Sequence, residues 1–321
     1  MSIAAKYPGD VGIEADPDVL FVETFEEASL AAVVARWTNG ELVNSAFSAD
    51  VPAGSPGSQS LVLTAPKASL FQNVGGQGTA PLYVRCYFKY PSAATLPAHS
   101  GLWLGGNAPE LNYPYVPSGT RPPPMDTAEN DNYFSAAVEV VDSTGRLEHY
   151  NYWQGMHQDG GGAYWGNWLL MDPTCTITWG EWFCLETMVK INTPTSASNG
   201  EHAFWLNGVK KSHLGLGFPD GSWSGNRFTQ HPGGTPFEGF QWTPTKMIFD
   251  TLDPNWVRLH SYRVDIPAPM LVDHLVVARK YIGPLAPAQV PEPPVGGSTK
   301  YRVSFSGELT VEPVIEPPKK P

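Results

Sequence analysis

Apolar and polar residues alternate along this chain in many short runs. Between Trp182 and Asn192, the residues Phe183, Leu185, Thr187, Val189 and Ile191 occupy every second position, with Cys184, Glu186, Met188, Lys190 and Asn192 between them. A period of two sends the first set to one face of a strand and the second set to the other. A second run, Glu201 to Asn207, follows a polar Thr/Ser/Asn/Gly turn, and Asn207-Gly208 closes it with a strong hairpin signal. Comparable runs at Leu20 to Phe25, Ser60 to Thr64, Leu82 to Tyr90, Gly101 to Leu104, Tyr133 to Val141, Leu147 to Trp153, Thr176 to Thr178, Lys246 to Asp250 and Met270 to Val277 read as further strands. The helical period shows only at Glu27 to Arg36, where Leu30, Val33 and Val34 form a short stripe. The pattern predicts an all-β fold of antiparallel sheets with one helical turn.

Residues 1 to 20 read as an extended arm with turns at Pro8-Gly9 and Asp16-Pro17. Two inserts rich in Gly, Pro and aromatics, Gly105 to Asn132 and Gly215 to Gln241, read as irregular loops at the rim of a groove. After Tyr281-Ile282-Gly283-Pro284 the sequence becomes LAPAQVPEPPVGGS, which cannot build a central strand. The expected organisation is a domain over residues 1–285, a Pro-rich linker over 286–299, and an extension over 300–321. Within the extension, Lys300 to Phe305 and Glu308 to Val314 alternate like two strands, which alone are marginal in water. That extension motivates one functional reading, a structural or virion-surface module that self-assembles through these strands.

Composition fits the pattern. The 32 Gly and 32 Pro in 321 residues suit many short strands and turns, and 41% hydrophobic residues with 11 Trp supply a sizeable core. A net charge of -11 without a Lys/Arg cluster argues against nucleic acid as a partner. Cys86, Cys175 and Cys184 lie in or beside strand runs and read as buried thiols before a disulfide framework, with one Cys175 to Cys184 bridge left open. No apolar run reaches membrane-spanning length, so membrane insertion is not expected, and the first residues carry no apolar signal core. Location is open, with an extracellular, surface or virion setting favoured.

Several side chains are candidates for chemistry. Ser135 and Glu139 share a face of one strand; Glu148, Tyr150 and Tyr152 share a face of the next. Arg85, Tyr87 and Lys89 share a face opposite Leu82, Val84, Cys86 and Phe88, and would join the tyrosines if the two strands were neighbours. Trp103, Tyr113, Tyr115, Trp153, Tyr164, Trp165 and Trp168 sit in or near the expected rim, where aromatic faces suit the C–H face of a sugar. The bland alternative makes the tyrosines cross-strand packing pairs. The eight His lack metal spacing, no paired-carboxylate run of a retaining glycosidase occurs, and no Ser-His-Asp elbow, Walker loop or dinucleotide fingerprint is visible.

The opening YPGDVGIEADPDVLFVETFEE, the hairpin segments MVKINTP and WLNG, and the closing VDHLVVARKYIGP together resemble concanavalin A-like jelly rolls related to polysaccharide lyase family 14. The resemblance spans about residues 7 to 285 and implies a two-sheet β-sandwich. It also implies a Lys in an upstream loop, a Ser-x-Arg strand and a Tyr-x-Tyr strand. Here Ser135 is kept, Ala137 stands at the expected Arg, Tyr150 and Tyr152 are kept, and His99 and Ser100 occupy the Lys neighbourhood. If the chain is active, the resemblance makes Tyr150 and Tyr152 the proton-transfer pair, with Arg85 or His99 neutralising a uronate carboxylate. The resemblance requires no cofactor but leaves room for a structural calcium ion between the first and last strands, with Glu23, Glu26 and Asp273 as oxygen donors, although ordinary surface carboxylates are the favoured reading of these residues. The losses at the Lys and Arg positions favour glycan recognition without efficient turnover over active lyase chemistry.

Overall fold

The computed structural model describes residues 2–64, 68–93, 99–108, 132–170, 174–243, 252–262, 269–287, 301–305 and 309–313. The expected strand Lys246 to Asp250 and the rim residues Tyr113 and Tyr115 lie outside these residues. The chain divides into two compact units, Met1–Ala286 and Pro287–Pro321.

In the first unit the elements run β1 (Val19–Glu23), α1 (Leu30–Arg36), β2 (Asn39–Glu41), β3 (Ala46–Ser48), β4 (Ser60–Leu63), β5 (Ala68–Asn73), β6 (Leu82–Lys89), β7 (Gly101–Ala108), β8 (Asn132–Val140) and β9 (Leu147–Tyr152). They continue with β10 (Asn167–Leu170), β11 (Phe183–Lys190), β12 (Glu201–Leu206), β13 (Val209–Leu214), β14 (Asp220–Ser224), β15 (Arg227–Gln230), β16 (Thr235–Pro236), β17 (Trp256–Ser261) and β18 (Met270–Ala278). An eight-stranded sheet has the order β13-β12-β11-β6-β18-β4-β3, with β1 also on β18; a ten-stranded sheet has the order β16-β14-β15-β10-β9-β8-β7-β17-β5-β2. Pairing is antiparallel except where β10 meets β15. The fold is an all-β sandwich of the jelly-roll kind.

The inner faces meet in one core. Leu82, Val84, Cys86 and Phe88 of β6 pack with Phe134, Ala136 and Val138 of β8, as the period of two predicts. A linked polar set enters this core: His149 of β9 meets His202 of β12, and their outer nitrogens reach Ser212 and Thr187. All three cysteines are buried, and none is joined in a disulfide.

The N-terminal arm is not extended. It forms three 3-10 turns, Ala4–Lys6, Pro8–Asp10 and Ile13–Ala15, whose Ile3, Ala4 and Ile13 cover Val276, Ala278 and Ile282 on the outer face of the eight-stranded sheet. The expected strand at Thr176 to Thr178 is a single bridge from Thr176 to Arg146. The insert 215–241 is more regular than its composition suggests, because β14, β15 and β16 pair there and extend the ten-stranded sheet. In the second unit, β19 (Tyr301–Phe305) pairs antiparallel with β20 (Leu309–Pro313), setting Arg302 opposite Glu312.

Candidate functional site

Strand register assembles a site on the outer face of the ten-stranded sheet. Directly opposed residues of an antiparallel pair share a face. One row crosses five strands: Trp168 of β10, Tyr150 of β9, Ala137 of β8, Trp103 of β7 and Arg258 of β17. The row on one side holds Glu148, Glu139, Gly101 and His260; the row on the other holds Tyr152, Ser135, Gly105 and Trp256. Ser135, Glu139, Tyr150 and Tyr152 are therefore brought together, as their alternation predicted, and Trp103, expected at the rim, joins them.

Ala137 leaves room for rings on both sides, and Trp103 stands edge-on to Tyr150 at 5.9 Å. Trp168 packs on the other side of Tyr150 at 4.4 Å. The Tyr150 and Tyr152 hydroxyls lie 3.2 Å apart, and the Gly166 N–H donates to the Tyr150 oxygen at 3.1 Å. Gly166 has to be glycine, because a Cβ there would fall inside the Tyr150 ring. His99, with φ +51°, lies just before β7 and places its ring 5.0 Å from Tyr150 and 6.1 Å from Trp168. Its Nδ1 lies 3.3 Å from a carboxylate oxygen of the fully buried Glu139. Tyr262, 43% exposed, and Trp165, 45% exposed, flank this cluster in the chain, beside His260 and Gly166 respectively.

Burial governs the electrostatics. It pushes the Tyr150 phenol far above its ordinary range, with Tyr152 adding to the shift, and it raises Tyr152 as well. Both phenols are protonated donors at neutral pH. Burial also raises Glu139, against the pull of His99; burial opposes charge on His99, but Glu139 outweighs it and raises the imidazole. Glu148 is pushed by burial to about 7, although Arg146 contacts it at 2.9 Å. His260 is held well below its ordinary value by burial and by the charge of Arg258.

Several buried polar atoms on this face have no hydrogen-bond partner among the described residues: Trp103 Nε1, Ser135 Oγ, His260 Nδ1 and one oxygen of Glu139, whose other oxygen faces His99. Native interiors leave few such atoms, so their grouping on one face sets this layer apart from the rest of the core. Trp168 is one of the expected rim aromatics, whereas two residues of this face, Arg258 and His260, are not among the expected ones. The signal for the last two was present, since Arg258, His260 and Tyr262 alternate with Leu259 and Ser261.

Other expected residues lie elsewhere. Arg85, Tyr87 and Lys89 do share a face, but β6 pairs with β11 and β18 in the eight-stranded sheet, so they cannot join Tyr150. Arg85 is fully buried in an ion pair with Asp10, Tyr87 accepts the Leu285 N–H, and Lys89 pairs with Asp50 at 2.6 Å. Trp153 is 1% exposed and packs on Phe240 and Trp242 in the core, because it follows Tyr152 with the opposite parity. Among the described residues no group of three or more His, Cys, Asp or Glu is placed to hold a metal. Glu23 instead accepts the Phe25 N–H and the Trp37 indole N–H, and Glu26 accepts from Ser58 and Gln59. Asp273 keeps one buried oxygen without a hydrogen-bond partner, and burial raises its pKa to about 8.

No family model matches the sequence, and no curated protein matches it. Solved structures align with most of the chain at low identity. Alginate lyase Aly36B, solved with an alginate trisaccharide, aligns over 82% of this chain and 98% of its own at 15% identity, with a TM-score of 0.44. The cellulose-induced protein Cip1 aligns over 82% of this chain and 99% of its own at 15% identity and a TM-score of 0.42. The binding domain of botulinum neurotoxin serotype D aligns over 82% of this chain and 49% of its own at 10% identity and a TM-score of 0.37. Among the described residues no helix is long and apolar enough to cross a membrane.

Proposed function

We propose that the protein binds a glycan chain on the outer face of the ten-stranded sheet, without efficient turnover. The observation that carries this reading is the packing on one face of four rings, Trp168, Tyr150, Trp103 and His99, of which Trp168 and His99 are partly exposed. A pyranose offers an apolar C–H face for the rings and hydroxyls for the partly exposed His99 imidazole. The half-exposed rings at the top, His99, Trp168 and Tyr262, form the contact surface, and the buried layer beneath holds them in place.

Elimination from a uronate polymer would ask Tyr150 or Tyr152 to give up a proton, which needs a cation beside the phenol. The groups that shift these phenols are burial, each other, Glu139 and the Gly166 amide, and the balance favours the neutral form. The buried carboxyl of Glu139 beside them also favours a neutral sugar over a polyanion. The test is to incubate the protein with a panel of neutral and uronic acid polymers, following binding and the ultraviolet absorbance of unsaturated ends together. Binding without new absorbance supports the proposal. Absorbance that grows with time and vanishes in Tyr150→Phe would replace it with a lyase, and no binding to any polymer would end it.

A further inference from the structure

A second cluster lies on the outer face of the other sheet. His274 of β18 sits between Ser55 and Asp10: its Nε2 is 2.8 Å from Ser55 Oγ and its Nδ1 is 3.0 Å from an Asp10 carboxylate oxygen. Asp10 and His274 are buried, at 5% and 2% exposure, whereas Ser55 is half-exposed. We propose that Ser55, His274 and Asp10 form a nucleophilic site that transfers the acyl group of a small ester to Ser55 Oγ. The three residues play the roles that such chemistry requires, a nucleophile, a base within hydrogen-bond reach of it, and a group that orients the base.

Hydrogen-bond geometry fixes where each proton sits. Burial would raise the Asp10 carboxyl, but Arg85 and His274 outweigh burial and lower it, so Asp10 is ionised and only accepts. His274 Nδ1 must then carry a hydrogen, which leaves the Nε2 lone pair facing Ser55. Ser55 Oγ accepts the Gly57 N–H at 3.0 Å, so its own hydrogen is directed at His274 Nε2. The hydroxyl is thereby aligned for removal of its proton.

Backbone conformation points the same way. Asp10 has φ +63° and His274 has φ +48°, so two of the six non-glycine residues with positive φ among the described residues belong to this one cluster. Such conformations are costly and persist where surrounding structure enforces them. At His274 the enforcement is an irregularity in β18, where register with β6 shifts between Asp273 and Val276 and re-aims the side chain toward the arm. Beside the nucleophile, a Cβ on Gly54 would meet nothing within 4 Å, so the approach to Ser55 is open on that side. The Arg85–Asp10 ion pair alone would anchor the arm; it does not require His274 to reach on to Ser55.

The reaction balances without any reagent beyond water. Ser55 Oγ forms a bond to the ester carbonyl carbon while its proton passes to His274 Nε2. The carbon–alkoxy bond then breaks, the departing alkoxide takes that proton from Nε2, and the acyl group remains on Ser55. Water repeats the cycle: its oxygen bonds to the acyl carbon as its proton passes to Nε2, the bond from that carbon to Ser55 Oγ breaks, and Oγ takes the proton back from Nε2 as the carboxylic acid leaves. General-base activation of this kind accelerates attack by about 100-fold to 10,000-fold.

The test uses the full chain with a fluorophosphonate probe, read by intact mass and peptide mapping, and with p-nitrophenyl acetate as the ester. The expected result is one label, on Ser55, absent in Ser55→Ala with an unchanged melting temperature. In His274→Gln, labelling and ester hydrolysis should both slow by about 100-fold. No label on Ser55, or equal labelling in His274→Gln, would overturn the proposal. If His274→Gln fails to fold, Ser55→Cys decides: alkylation by iodoacetamide about tenfold faster than a free cysteine supports an activated nucleophile, and a rate at or below the free thiol refutes it.

Discussion

Replacing the buried imidazole pair His149 and His202 by glutamine in both positions should make stability less sensitive to acid. Their nitrogens lie 3.0 Å apart between the sheets; His149 Nε2 is 2.6 Å from Ser212 Oγ, and His202 Nε2 is 3.0 Å from Thr187 Oγ1. Thr187 donates to the Ala203 carbonyl at 3.2 Å, so it accepts from His202 Nε2, which leaves His202 Nδ1 to accept from His149 Nδ1. Every bond in this chain is made only when both rings are neutral. Burial accordingly holds His202 down to about 3 and His149 well below its ordinary 6.5. A depressed folded-state pKa contributes stability that is present above about 6.5 and is lost as pH falls, because the unfolded chain takes up the proton. Between about pH 7.5 and about pH 5.5 that loss is roughly 1.4 kcal/mol per imidazole, or roughly 3 kcal/mol for both. Buried carboxyls such as Glu186, raised to about 7, shift stability in the opposite direction. The quantity to measure is therefore the difference between wild type and the double variant, by urea unfolding followed through tryptophan fluorescence at the two pH values. The wild-type advantage at the higher pH should shrink by roughly 3 kcal/mol at the lower one. An advantage independent of pH would refute the reasoning, since it would mean that these rings titrate alike in folded and unfolded chains.

Three further outcomes follow from the same geometry. Gly166→Ala forces a methyl group into the Tyr150 ring, so it should cost about 1–3 kcal/mol in urea unfolding and weaken any glycan bound at that face. Glu139→Gln removes the charge that raises His99, so the His99 titration midpoint, followed by NMR, should move down toward or below its ordinary value. Asp10→Ala leaves Arg85 buried without its counter-charge and should destabilise the sandwich by about 3–5 kcal/mol.

Much of the site was legible because strand alternation is local. Ser135, Glu139, Tyr150 and Tyr152 could be placed on one face from parity alone, and the register of β8 with β9 bears that out. Parity cannot say which sheet a strand joins. Arg85 has the right alternation and the wrong neighbours, since the order β11-β6-β18 is set by contacts among segments about 100 to 190 residues apart in sequence. Trp153 went astray by one position, at the end of a strand where a single step exchanges surface for core. Arg258 and His260 escaped notice because β17 is short and finds its partners β5 and β7 far upstream. The arm read as extended because Pro8-Gly9 and Asp16-Pro17 signal turns, but not the 3-10 geometry that Ile3 and Ile13 gain by packing on β18.

The central claim is that the aromatic face of the ten-stranded sheet holds a glycan. The most direct measurement is calorimetric titration of wild type, Trp168→Ala and His99→Ala with the polymer that binds best in the panel. The account predicts saturable binding by wild type and a loss of at least about tenfold in each variant, corresponding to about 1.4 kcal/mol. Equal affinity in all three, or binding that survives loss of both rings together, would contradict it.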